Sequence, residues 1–161
     1  MSLLRTRTSV ELTGDRLFEH RIRRLVAISA VALGAIWGLA LSDGATMWIL
    51  VLLGIGWVLM PSVLAASLRL PMTRYALMIP ASVVSVALIA MTLSAPDSTV
   101  VGWALIAAGI LFGGFIGMWF WYRWLPVPRA FDDPFAVPRL ALVATHLGLV
   151  LAGMAAVAVG L

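Results

Sequence analysis

The chain has 161 residues, 63% of them hydrophobic and 11% charged, with a mean hydropathy of +1.07; soluble domains run at about 45–50% apolar and about 25% charged. That balance excludes a water-soluble globule, and roughly five spans of about 20 apolar residues leave only short connectors, too little for a further soluble domain. All 11 basic residues are Arg, the net charge is +4, and the absence of Cys excludes disulfides, thiolate metal sites and thiol catalysis.

In chain order, residues 1–24 read as a cytoplasmic or interfacial leader. Asp15 is placed to cap a helix in which Leu17, Phe18, Ile22 and Leu25 recur at helical spacing, with Glu19 and Arg23 paired one turn apart. This predicts a short amphipathic helix on the inner leaflet that runs on into the first span. Long apolar runs follow at 25–41, 46–68, 75–93, 100–122 and 140–161, and together they predict an all-α membrane protein with five transmembrane helices in one domain, 25–161. Ser42-Asp43-Gly44 ends the first run. Ala40 and Ser42 also fit a signal-peptide reading of that run, but the long leader and the runs that follow weigh against it. Pro61 and Pro80 interrupt spans two and three, where a missing backbone donor kinks a helix. Pro126, Pro128, Pro134 and Pro138 crowd the connector 125–139 and predict an extended, semi-rigid cytoplasmic loop.

Orientation follows from the arginines. Arg5, Arg7, Arg16, Arg21, Arg23 and Arg24 in the leader, Arg69 and Arg74 in the second connector, and Arg123, Arg129 and Arg139 around the fourth all fall on one side. The first and third connectors carry Asp43 and Asp97 and no base. The positive-inside rule then places the amino terminus in the cytoplasm and the carboxyl terminus outside. Trp48 and Trp103 near the outer boundary, and Tyr75, Trp119, Trp121, Tyr122 and Trp124 near the inner one, suit the headgroup level. Trp37 and Trp57 lie deeper and read as packing or lipid-facing residues.

No Asp, Glu, Lys or Arg lies inside any apolar run, which disfavours ion-coupled transport, because such transporters keep ionised groups where ions pass. No Ser, His and carboxylate set can be assembled within the membrane for hydrolysis either. His146 is the one ionisable side chain at depth; it reads as a neutral imidazole bonded to a neighbouring helix, or as an axial ligand to a haem or chlorophyll-type pigment or a contact to a quinone. Adjacent Asp132 and Asp133 lack further ligands nearby, so no metal site is expected.

Small residues recur at four-residue spacing: Ala30, Gly34 and Gly38 in span one; Gly109, Gly113 and Gly117 in span four; Ala144, Gly148, Ala152, Ala156 and Gly160 in span five. Such stripes let helices approach closely where lipid removes the hydrophobic drive. His146 projects about 200° from Ala144 and Gly148, so the stripe and the histidine serve different neighbours. Arg69, Arg74, Arg123, Arg129 and Arg139, with Phe131 and Phe135 in the proline-rich loop, are candidate contacts to anionic headgroups or a partner.

No phosphate loop, zinc-binding helix or haem-attachment motif is present in the sequence. The expectation is a non-catalytic accessory or structural subunit of a larger membrane complex of respiratory or photosynthetic type, in a bacterial inner membrane, partnered by lipids and other integral subunits and not by nucleic acid. Two alternatives stand beside it: a small homo-oligomeric transporter, flippase or channel, and a haem- or pigment-binding subunit using His146.

Overall fold

A computed structural model describes the backbone at residues 9–67, 78–113 and 136–161, and side chains at 23–63, 78–113, 137–138 and 140–161. Every regular element among the described residues is helical: α1 (Ser9–Ser42), α2 (Met47–Ser67), α3 (Met78–Ser94), α4 (Val100–Ile110) and α5 (Ala136–Ala158). Two of these helices, α1 over Arg23–Ser42 and α5 over Leu140–Ala158, are long and apolar enough to cross a membrane.

The helix limits follow local chemistry. α1 runs unbroken for 34 residues, about 51 Å at helical rise, so lead-in and first apolar run form one rod. Asp15 therefore sits inside the helix and does not cap it. At the other end, Gly44 takes φ 76°, which an L side chain resists. Its N–H bonds Leu41 O at 3.3 Å and Ala45 N–H bonds Ala40 O at 2.9 Å, a Schellman stop. α5 ends in the same way: Gly160 has φ 78°, and the N–H groups of Gly160 and Leu161 bond Val157 O and Ala156 O.

Among the described residues, Pro61, Pro80 and Pro138 lie within helices. α2 continues through Pro61, with Ser62 Oγ donating to Val58 O at 2.6 Å. Pro80 stands third in the described length of α3 and is buried. Pro138 is likewise third in α5, so the predicted loop 125–139 yields its last four residues to helix.

Sequential helices pack side by side, α1 on α2, α2 on α3, α3 on α4 and α4 on α5, whereas α1 and α5 meet only marginally. The core joins Leu33, Ile36, Ala40, Ile49, Leu53, Val84, Leu88, Trp103, Ile106 and Val150. Large apolar side chains also cover the outside, Val31 at 74% exposed and Leu93 at 84% among them.

Candidate functional site

Three polar or glycine-based contacts organise the bundle, and they contain most of the chemistry the chain offers. The first joins α1 to α2. Trp37 Nε1 donates to Leu50 O and Trp57 Nε1 donates to Ala30 O, each at 2.9 Å. A Cβ on Gly34 would stand 3.2 Å from the Trp57 ring, and one on Gly54 would stand 3.7 Å from Trp37 Nε1. The two indoles lie 6.2 Å apart at 30°. Each helix therefore supplies an acceptor carbonyl, a glycine four residues on and a tryptophan three further, as Ala30-Gly34-Trp37 and Leu50-Gly54-Trp57. The antiparallel pairing makes the two sets reciprocal, and each indole N–H finds a partner that hydrocarbon cannot provide. Gly38, the third member of the predicted stripe, has nothing within 4 Å of where its Cβ would be.

The second contact welds α4 to α5. On α4, a Cβ at Gly102 would stand 2.6 Å from Val157 Cγ2, and one at Gly109 would stand 2.8 Å from Val150 Cγ2. A Cβ at Gly113 would collide with the His146 imidazole. From α5, a Cβ at Gly153 would stand 2.6 Å from Gly102 O and 2.7 Å from Ile106 N. Glycine at these positions allows near-backbone contact along the whole described pair. His146 closes it: its Nδ1 lies 2.7 Å from Gly109 O. A carbonyl oxygen only accepts, so Nδ1 carries the hydrogen and, in the neutral ring, Nε2 carries the lone pair. The α4 backbone widens into a π turn at 111–113, beside this imidazole.

The α5 stripe read from the sequence faces elsewhere. Ala144, Gly148 and Ala152 are exposed, and no atom lies within 4 Å of a Cβ built on Gly148. Ala156 is half-buried, and Gly160 serves as the helix stop. Gly153, which the four-residue spacing does not pick out, is the small residue that faces α4. Gly117, Arg69, Arg74, Arg123, Arg129, Phe131, Phe135 and the side chain of Arg139 lie outside the described residues.

The third contact ties the two short connectors together at one end of the bundle. Asp43 Oδ2 accepts from Trp103 Nε1 at 2.7 Å and from Thr99 Oγ1 at 3.2 Å. Thr99 is buried and Trp103 fully so. The hydroxyl of Thr99 also lies 3.3 Å from Pro96 O. A carboxylate held by a buried indole gives a stronger bond than a neutral acceptor. Nearby, Gly102 N–H donates to Leu161 O at 3.1 Å. Arg23 and Arg24 lie about 30 Å down α1 from Asp43 by helical rise.

Hydroxyls elsewhere serve their own helices: Ser82, Thr92 and Ser94 donate to carbonyls four residues back. Ser85 Oγ is the exception, buried with no partner among the described residues. No group of His, Cys, Asp and Glu able to hold a metal comes together among the described residues. Comparison with protein families, with curated proteins and with solved structures finds no match to this chain.

Proposed function

We propose that the chain is a five-span integral protein of a bacterial inner membrane, amino terminus cytoplasmic and carboxyl terminus outside, that works as a non-catalytic accessory subunit packing against other membrane proteins. The membrane reading is supported by the apolar exterior and by the burial of the two longest apolar stretches, of which only 17% lies inside the protein. The core helix of a soluble protein is mostly buried; a helix in lipid keeps an apolar outer face. The orientation rests on the arginine pattern.

The observation that carries the accessory role is the division of labour on α5. Its Gly153 face is consumed by α4, while Ala144, Gly148 and Ala152 present a second close-packing face with open space in front of it. No Asp, Glu, Lys or Arg inside the apolar runs competes as a transport site. Extraction in a mild detergent tests the proposal: the chain should run in an assembly with other polypeptides, and Gly148→Leu should release it from them without unfolding it. Recovery of the wild-type chain as a lone monomer contradicts this role.

One observation favours a second reading. Nδ1–H on Gly109 O leaves the His146 Nε2 lone pair for a ligand, the arrangement in which imidazole binds a haem or pigment metal. Purified protein with no Soret or pigment band, or a band that survives His146→Leu, removes it.

A further inference from the structure

α1 is longer than a bilayer requires. Its apolar stretch Arg23–Ser42 rises about 30 Å, the thickness of the hydrocarbon core, and the same helix begins at Ser9, about 21 Å earlier. Sharp bends in helices arise at proline, at glycine–serine pairs or at π-bulges, and α1 contains none of these. Given the membrane-spanning reading, on which this inference rests, the extension continues away from the bilayer along the line of the first span. It does not turn to lie on the inner leaflet, as its amphipathic spacing alone predicts. Its register adds a second constraint. At about 100° per residue, Leu17, Phe18 and Arg21 fall within about 60° of the side on which α1 buries Leu33, Ile36 and Ala40. Arg16 and Glu19 fall on the far side, with Val31, which is 74% exposed. The apolar side of the extension thus continues the inward side of α1, and its polar side continues the outward one. Leu25 shares the inward side with Leu33, yet it is 51% exposed against 6%, so the described helices leave that side uncovered at the arginine end.

We propose that this inward side of the extension is the docking surface for the chain's own connector 125–135. That segment ends where α5 begins, at Ala136, at the same end of the bundle as Arg23 and on a helix that meets α1. Its run Phe131-Asp132-Asp133-Pro134-Phe135 sets two aromatic rings beside two carboxylates, the complement of Leu17 and Phe18 beside Arg21. The other connector at that end, 68–77, carries Arg69 and Arg74 and no acid, so its charge opposes that of Arg21. A proline-rich segment is also semi-rigid and gives up little freedom on docking.

The chain has no Cys, so disulfide cross-linking in membrane vesicles tests the full-length protein without other changes. Leu17→Cys with Phe131→Cys should link within one chain, in a yield roughly fivefold above Arg16→Cys with Phe131→Cys on the far side, because a disulfide forms only between close, facing Cβ atoms. Arg21→Glu should lower that yield, and adding Asp132→Arg with Asp133→Arg should restore it. Equal yields from the two sides, or a yield indifferent to these charge changes, overturn the proposal. A link between two differently tagged copies makes the occupant a second chain, and quenching of a fluorophore on Leu17→Cys by nitroxide-labelled lipid puts the extension on the leaflet; either result overturns it as well. Same-side labelling of Ser42→Cys and Thr73→Cys contradicts the membrane reading itself, whereas opposite-side labelling without the link between positions 17 and 131 defeats the docking alone.

Discussion

Substituting the same residue type on opposite faces of α5 should have clearly different effects. A Cβ at Gly153 would stand 2.6 Å from Gly102 O and 2.7 Å from Ile106 N, whereas ordinary van der Waals contact begins at 3.4 Å. Both obstacles are α4 backbone, so no side chain can swing aside, and α5 must withdraw by about 0.8 Å along its tightest stretch. Overpacking of this kind costs about 1–3 kcal/mol. Gly148 has nothing within 4 Å of its missing Cβ, so Gly148→Ala meets no clash and gains up to about 1 kcal/mol in helix propensity. Gly153→Ala shares that propensity gain, so it should be destabilised relative to Gly148→Ala by the overpacking cost alone, about 1–3 kcal/mol. Equilibrium unfolding in mixed micelles, followed by tryptophan fluorescence, measures both. Equal effects of the two substitutions would refute the assignment of Gly153 to the α4 interface and of Gly148 to the outer face.

Other expectations concern the polar contacts. Trp37→Phe and Trp57→Phe each remove one indole-to-carbonyl bond and keep a ring in place; each should cost about 0.6 kcal/mol and at most about 1.7. The double variant should depart from additivity because the rings are neighbours, and strict additivity would count against the reciprocal lock. Asp43→Ala strands the buried Trp103 N–H and should cost about 1–3 kcal/mol, with a shift in tryptophan emission; unchanged stability would mean that the Asp43 contact adds nothing. His146→Phe keeps a ring against Gly113 but loses the bond to Gly109 O, a loss of about 0.5–1.5 kcal/mol, and a variant as stable as wild type would show that the bond contributes nothing net.

What the sequence made legible was the helical class, the rough placing of the helices and the stop after the first apolar run. Apolar runs mark where helices lie, and Ser42-Asp43-Gly44 marks a stop because only glycine takes the conformation that Gly44 adopts. The inward face of α5 was not legible. In a helix that is apolar all round, periodicity carries no contrast between core and lipid, and Gly153 competes with Gly148 on equal terms until α4 is in place. The matched Gly34-Trp37 and Gly54-Trp57 pairs are visible in the letters, yet their meaning depends on an antiparallel register that one sequence does not disclose. Asp43 and Trp103 are 60 residues apart, and only folding turns two boundary residues into a bond.

The central claim, that the helices cross a bilayer with connectors on alternate sides, is tested most directly by single-cysteine labelling in sealed right-side-out vesicles. Ser42→Cys and Asp97→Cys should react with a membrane-impermeant maleimide from outside, while Thr73→Cys and Ala130→Cys should react only after the vesicles are opened. Labelling of Ser42→Cys and Thr73→Cys from the same side contradicts the account.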